Sequence, residues 1–274
     1  MLTIQAIINK HLIEEFYGKK PAYSYWNGCS QGGRQGMELA QRYPTAYDGI
    51  AAGAPAIRLV NVVAAIFYPQ QQMNVLGEYP YPCEYDAIRN AAVEFCDEFD
   101  GVKDGVVQDV EGCLDSFDPF ALVGTAVECP QADGPVEITT TAATVVNGTF
   151  ANGYDAVGRR QWLGFSPTTD LTGNYIGVAS TALTNCTGPD GCVGDANPLG
   201  TGWVRVFAAK DPNFDYTKIS PEEYHSFVRE NAHELASYVS TDDADLSRFR
   251  DAGGKLITFH GLVSSPIHRS PASY

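Results

Sequence analysis

The stretch of residues 23–54 reads YSYWNGCSQGGRQGMELAQRYPTAYDGIAAGA. Its centre, residues 28–32, matches the pattern G-x-S-x-G, in which a nucleophilic serine lies on a sharp turn between a strand and a helix. Short glycine–serine runs are also common in loops, so the pattern alone is a weak signal. The residues on either side therefore decide whether Ser30 is a nucleophile or part of a plain glycine-rich turn.

The flanking residues predict the elements that such a turn needs. Residues 22–26 form a short aromatic run, which indicates a strand. Residues 34–43 carry apolar side chains at helical spacing and are followed by Pro44, which predicts a helix that ends there. Residues 50–54 predict a second, buried strand. The order strand, turn, helix, strand favours a nucleophilic serine.

The same pattern identifies one group that would stabilise the oxyanion. At a turn of this kind, the amide after the nucleophile, here that of Gln31, donates to the developing negative charge. A second amide comes from an earlier strand–helix loop. Residues 3–17 predict a helix with one apolar face just before the first strand, and the sequence offers no earlier loop. Because losing one such donor lowers kcat by about 10²–10³, the second donor matters.

Composition and charge exclude several classes of partner. The chain has 274 residues, 44% of them hydrophobic, which is enough to bury a core in one large domain or two smaller ones. Its formal net charge of −15 disfavours nucleic acid and anionic membrane surfaces, since both bind basic proteins. No apolar run is long enough to span a bilayer. A neutral or cationic small molecule is the predicted partner.

Cysteine usage points to an oxidising, secretory setting. Seven cysteines occur without a C-x-x-C pair, which argues against a zinc ribbon or finger. Two glycosylation sequons begin at Asn147 and Asn185. Residues 1–16 nevertheless lack the features of a signal peptide. Either the protein is not secreted or the N-terminal part is missing from this sequence, and the odd number of cysteines is consistent with a missing part.

Residues 68–235 differ in composition from the flanking segments, which show an α/β pattern. They are rich in Gly, Pro, Thr, Asp and Asn, and sheet-like sequence resumes only at residues 255–259. This predicts an inserted lid domain; the alternative is a long disordered insertion. The aromatic residues of the segment favour a domain because they supply material for a core. These aromatic residues are Trp162, Phe165, Tyr175, Trp203, Phe207, Phe214 and Tyr224.

The most distinctive part of that segment is an acidic loop at residues 96–113. Asp97, Asp100 and Asp104 fall within eight residues, separated by glycines that permit tight turns. Calcium takes six to eight oxygen ligands, and the carbonyls of Val102 and Val106 alternate with these carboxylates. The spacing is not that of an EF-hand loop. The alternative interpretation is a solvated acidic turn.

Three disulfides are compatible with the cysteine spacing. A bridge between Cys96 and Cys113 would close the acidic loop and contribute roughly 3 kcal/mol by the chain-entropy model. Cys186 and Cys192 are close enough in sequence for a local bridge. Pairing of Cys83 with Cys129 is what remains, and sequence alone does not confirm it. Cys29 is then left unpaired.

The run N-G-C-S-Q-G-G-R-Q-G, followed by A-x-x-Y-P-x-x-Y-D-G-I-x-A-G-A-P-A, resembles the tannase/feruloyl esterase family. The resemblance implies an α/β-hydrolase fold with a partial sheet formed by residues 1–67 and 236–274, and a lid domain at residues 68–235. It implies a secreted serine esterase that cleaves phenolic-acid esters of feruloyl or galloyl type. It also implies a structural Ca²⁺ in the lid. The ligands implied for that ion are Asp97, Asp100, Val102, Asp104 and Val106.

The resemblance leaves the catalytic machinery incomplete. In the family, a disulfide joins the cysteine before the nucleophile, here Cys29, to a cysteine that follows the catalytic histidine. Residues 253–262 match the family run that precedes the triad aspartate, yet Ser264 stands where that aspartate is expected. The chain ends at Tyr274, before the expected histidine–cysteine pair. None of the five histidines present is a convincing substitute for the base.

Three interpretations therefore stay open. The first is a serine esterase acting through Ser30. The second is a catalytically incomplete remnant or a binding-only relative, or simply an incomplete gene model whose beginning and end both stop short of the family's fold. The third, an ordinary serine hydrolase with an unrecognised base, is disfavoured by Cys29 and by the calcium-like loop.

Overall fold

The computed structural model describes residues 2–173 and 180–261, and the chain forms two compact units. The first unit contains the described residues up to Leu59 together with Ala236–Gly261; the second is Val60–Leu235. Within the described ranges, no helix combines the length and apolarity that a membrane crossing requires. The predictions made for Tyr175 and for residues 263–274 fall outside these ranges.

The first unit is a small parallel sheet with helices beside it. Its elements are α1 (Leu2–Tyr17), β1 (Tyr25–Cys29), α2 (Gln31–Arg42), β2 (Gly49–Gly53), the last turn of α8 (Pro221–Val239), α9 (Ser247–Asp251) and β9 (Lys255–Phe259). The strand order is β1–β2–β9, and both pairs are parallel. The start of β1 is held beside β2 by the Asp48 carboxylate, which accepts hydrogen bonds from the amide and hydroxyl of Ser24.

One face of this sheet is packed and the other is open. On the packed face, Leu39 and Ala40 of α2 and Phe249 of α9 cover Ile50 and Ala52 of β2. On the open face, the alternate residues Tyr25, Ile257 and Phe259 are each more than 60% exposed. All-parallel sheets are normally covered on both faces, so this surface is unusual for a protein core.

Helix α1 confirms the predicted helix but not a packed role for its apolar face. Ala6 is buried, and Lys10 donates to the carbonyl of Ala46 at 2.8 Å. The predicted apolar face is instead exposed: Ile4, Ile7, Ile8, Leu12 and Phe16 are each more than half accessible. The apolar spacing places these residues on one face of the helix, but it does not predict whether another element packs against that face.

The two connections between the units pair with each other inside the first unit. The amide of Thr241 donates to the carbonyl of Ile57 at 2.9 Å, and Arg58 forms an antiparallel bridge with Ser240. Arg58 also forms a 2.8 Å ion pair with Asp242. The outgoing and the returning chain therefore lie side by side.

The second unit is mainly helical, with short two-stranded ribbons. Its helices are α3 (Leu59–Leu76), α4 (Pro82–Cys96), α5 (Val110–Ser116), α6 (Thr140–Phe150), α7 (Pro198–Trp203) and most of α8. Its ribbons pair β3 (Ala126–Cys129) with β4 (Gly134–Glu137), β5 (Gly153–Tyr154) with β6 (Arg160–Trp162), and β7 (Thr184–Cys186) with β8 (Cys192–Gly194). The buried Glu84 accepts from the amides of Tyr81 and Thr139, which precede α4 and α6.

An aromatic cluster forms part of this unit's core. Tyr224 is fully buried, and its ring contacts those of Phe67, Tyr68, Trp162 and Trp203. The prediction that aromatic residues of the segment supply a core is confirmed for Trp162, Phe165, Trp203 and Tyr224. It is wrong for Phe207, which is 49% exposed because it lies on the solvent side of a π-helical turn.

Candidate active site

Ser30 lies on the turn between β1 and α2, as the G-x-S-x-G pattern predicts. Its backbone has φ 58° and ψ −113°, a conformation that residues other than glycine rarely adopt. Such strain persists only where the surroundings fix it, and it clusters at functional sites. Ser30 is exposed, and its hydroxyl does not cap α2. Within the described part of the chain, the side chain is therefore presented to solvent and does not serve as the cap of α2.

Backbone bonds hold this strained residue in place. The Ser30 amide donates to the carbonyl of Gly53 at 3.0 Å, which ties the turn to the end of β2. The Ser30 carbonyl accepts from the amide of Arg34 at 2.9 Å, which begins the helical hydrogen bonding. The backbone that carries the hydroxyl is therefore fixed by hydrogen bonds at both the amide and the carbonyl of Ser30.

Two glycines make the turn possible. A Cβ on Gly28 would lie 2.7 Å from the backbone of Gly32, and one on Gly33 would lie 2.2 Å from the carbonyl oxygen of Gly53. Both distances are shorter than real side chains tolerate. Gly28 of the motif and Gly33 just after it are thus required by the close approach of the chain at these two points, whereas a Cβ on Gly32 would meet nothing within 4 Å.

The element boundaries differ from the predicted ones. The strand runs over Tyr25–Cys29 rather than residues 22–26, and the helix begins at Gln31 rather than Arg34. Glycines at positions 32 and 33 have low helix propensity, so the sequence signal starts late. The earlier start places Gln31 in the first helical turn, where amides lack intrahelical acceptors.

The Gln31 amide is available as an oxyanion donor. Among the described residues, none accepts a hydrogen bond from it. It also lies at the positive end of the α2 dipole, which favours negative charge. The carboxamide of Gln31 accepts from Nε of Arg34 at 3.0 Å. Arg34 was not predicted as a site residue, because the predicted helix began at Arg34 and the i,i+3 spacing to Gln31 was not visible.

The described histidines do not complete a catalytic pair with Ser30. Within residues 2–173 and 180–261, no histidine is hydrogen-bonded to its hydroxyl. His260 follows β9, two strands from β1, which corresponds to about 10 Å. Burial lowers the pKa of His260, and its Nε2 has no partner among the described groups. The position Ser264, expected to hold the triad acid, lies outside the described residues.

The cysteines pair as the spacing allows. Disulfides join Cys96 to Cys113, Cys186 to Cys192, and Cys83 to Cys129, so the pairing that sequence left open exists. Cys29 is free and exposed, directly before Ser30.

The acidic loop is ordered by its own carboxylates. Asp97 is buried, and one of its oxygens accepts from the amides of Asp104 and Gly105 at 3.2 and 2.7 Å. Asp100 accepts from the amide of Val102, and Asp104 accepts from that of Val106. Across the described parts of the chain, no three acidic, histidine or cysteine side chains converge as a metal cluster. Any cation here would need backbone carbonyls among its ligands.

Comparison with known proteins gives one consistent family. A family model described as tannase and feruloyl esterase matches residues 2–271. A probable feruloyl esterase of Arthroderma benhamiae is 35% identical over 265 residues, covering 96% of this chain and 47% of the relative. A probable feruloyl esterase B of Aspergillus clavatus is 32% identical, covering 95% and 46%.

Solved structures agree with the sequence matches. A tannin acyl hydrolase from Aspergillus niger superposes with a TM-score of 0.83 at 28% identity, covering 96% of this chain and 48% of that one. A feruloyl esterase B from Aspergillus oryzae gives a TM-score of 0.72 at 25% identity with the same coverage. The chain thus spans about half the length of the proteins that it matches.

Proposed function

This chain belongs to the tannase and feruloyl esterase family, and from that premise we propose that its protein is a carboxylic ester hydrolase acting on phenolic-acid esters of feruloyl or galloyl type. The observation that carries the proposal is the strained backbone of Ser30, whose uncapped hydroxyl is held at the strand–helix turn. The names of the similar proteins supply the substrate class. The partner is a small phenolic ester.

The proposed mechanism is nucleophilic. The Ser30 oxygen attacks the ester carbonyl, the alcohol leaves, and water hydrolyses the resulting acyl-enzyme. The free amide of Gln31 donates to the oxyanion that forms in each tetrahedral intermediate. The reaction also needs a general base oriented by an acid. We assign neither role to a described residue.

The architecture proposed for this function is an α/β-hydrolase core with an inserted lid. The parallel strands β1, β2 and β9, with the nucleophile turn after β1, support the core at residues 1–67 and 236–274. The separate compact unit between β2 and β9 supports a lid at residues 68–235. Three disulfides support a secreted protein, since such bonds persist in oxidising compartments.

We also propose a structural Ca²⁺ in the acidic loop. The ligands would be the carboxylates of Asp97, Asp100 and Asp104 with the carbonyls of Val102 and Val106. An all-oxygen set mixing carboxylates and carbonyls is what calcium prefers, and the Cys96–Cys113 disulfide closes the segment that carries it. In the structure the carboxylates bind amides of their own loop, which supports a preformed turn.

The experiment that tests the function compares Ser30→Ala with the unchanged chain. Hydrolysis of methyl ferulate and methyl gallate is measured, together with labelling of the serine by a fluorophosphonate detected by mass spectrometry. We expect Ser30→Ala to abolish both turnover and labelling. Ser116→Ala, a substitution of an exposed serine in the second unit, serves as the matched control and should leave both unchanged.

Two outcomes would contradict the proposal. Ester hydrolysis by the Ser30→Ala variant would show that Ser30 is not the nucleophile. A chain that binds the esters without hydrolysis or labelling would support the binding-only relative. The sequence leaves that alternative open because Ser264 stands where the triad aspartate is expected.

A further inference from the structure

The first turn of α2 presents amides that nothing in the described chain uses. The amides of Gln31 and Gly32 lack acceptors among the described residues, and Ser30 does not cap them. Free amides at a helix N-terminus attract the nearest acceptor available. If a group of the protein itself took these amides, they would be lost to an incoming oxyanion.

One rival acceptor in the same turn is the side-chain carboxamide of Gln31. The free amides of a first helical turn can be satisfied by polar side chains near the helix start. Gln31 is exposed, so no packing restrains its side chain. Its carboxamide oxygen is instead engaged by Nε of Arg34 at 3.0 Å.

Arg34 is itself fixed at a second point. Its Nη1 donates to the carbonyl of Val239 at 3.2 Å, at the C-terminal end of α8. The last carbonyls of a helix lack intrahelical donors, and a cation there is favoured by the helix dipole. The guanidinium is therefore partly buried and anchored while it holds Gln31.

We propose that Arg34 is a positioning residue that draws the Gln31 carboxamide away from the α2 N-terminus and so keeps the first-turn amides free for the oxyanion. Its effect on turnover rests on the esterase function proposed above. Its effect on the amides does not depend on turnover. The two can therefore be measured separately.

The test is a double-mutant cycle on the full chain with Arg34→Met and Gln31→Ala. Amide hydrogen exchange at residues 31 and 32, followed by NMR, reports whether the amides are free. The rate of fluorophosphonate labelling of Ser30 and kcat with methyl ferulate report whether these amides stabilise the oxyanion. Arg34→Met should slow amide exchange and lower both rates by about five-fold, the effect of one ordinary hydrogen bond, with KM unchanged. Gln31→Ala should remove the rival acceptor.

The cycle distinguishes positioning from a structural effect. In the Gln31→Ala background, Arg34→Met should alter exchange and rates by less than about two-fold, because the two residues act through one contact. Equal losses in both backgrounds would overturn the proposal and assign the effect to the Val239 contact or to charge. Arg42→Met is the control, since Arg42 also lies on α2 and donates to the neighbouring Ser237 carbonyl at 3.0 Å.

The readouts also separate failure of this proposal from failure of the esterase function. Unreactive Ser30 in the unchanged chain would refute the proposed function, and amide exchange would still decide the role of Arg34. Unaltered exchange in Arg34→Met would overturn the positioning role even if the enzyme is active.

Discussion

At the scale of single residues, the nucleophile turn depends on distances that only glycine satisfies. Gly32 and Gly33 are sequence neighbours on α2, yet a Cβ on Gly32 would meet nothing within 4 Å, whereas one on Gly33 would collide with the Gly53 carbonyl. We expect Gly33→Ala to lower the free energy of unfolding by about 3 kcal/mol. Gly32→Ala should be neutral or stabilising by about 0.5–1 kcal/mol. Denaturant unfolding measures both; similar losses would contradict the geometry.

His225 predicts how stability depends on pH. Its ring stacks on Trp162 at 5.8 Å, and burial lowers its pKa below the ordinary value of 6.5. The unfolded chain therefore takes up this proton at a higher pH than the folded one. The contribution of His225 to the free energy of unfolding is therefore fully present above pH 6.5 and is lost as the pH falls below that value. Partial burial lowers the pKa of His260 in the same direction.

Denaturant unfolding between pH 7.5 and 5 tests this expectation. His225→Phe keeps an aromatic ring against Trp162 and should flatten the decline in the free energy of unfolding. His233→Gln changes an exposed residue of the same helix and should leave the slope unaltered. A slope untouched by His225→Phe would show that other groups cause the decline.

At the scale of elements, the acidic loop predicts a response to calcium. If Ca²⁺ binds only the folded protein, a concentration of 100 times Kd stabilises it by about 2.7 kcal/mol. For a chain of this size, that corresponds to a rise in Tm of about 5–10 °C. Asp104→Asn should reduce the rise, while Asp115→Asn, on the exposed surface of α5, should not. A Tm that excess chelator leaves unchanged would contradict the proposal of a structural Ca²⁺ in this loop.

The elements also show what sequence can and cannot predict. The turn at Ser30 was predictable because the glycines and the flanking apolar patterns are local. The start of α2 was not, since two glycines weaken the helix signal just where the helix begins. The Cys83–Cys129 pair depends on contacts 46 residues apart in sequence, which spacing alone does not determine. The Arg34–Gln31 contact was missed for the same reason as the helix start.

At the scale of the whole molecule, the exposed apolar surface of the first unit has a measurable effect. The open face of the sheet, with Ile257, and the outer face of α1, with Ile7, are both apolar. Contiguous apolar surface promotes association. We expect the 274-residue chain to bind a hydrophobic dye and to self-associate as its concentration rises.

Two substitutions test this expectation by light scattering and dye fluorescence. Combined Ile7→Lys and Ile257→Lys should lower both signals. Val193→Lys replaces an equally exposed valine in the second unit and should not. Strict monomers without dye binding would indicate that these faces are covered in solution.

The paired connections, where Ile57 meets Thr241 and Arg58 meets Ser240, also affect how such a gene can change over generations. Both ends of the intervening segment leave from one place, so its length scarcely affects the cost of joining them. Recombination can then replace this stretch as a cassette, while the strands on either side keep their register. Lineages can diversify the exchanged part and inherit the serine turn unaltered.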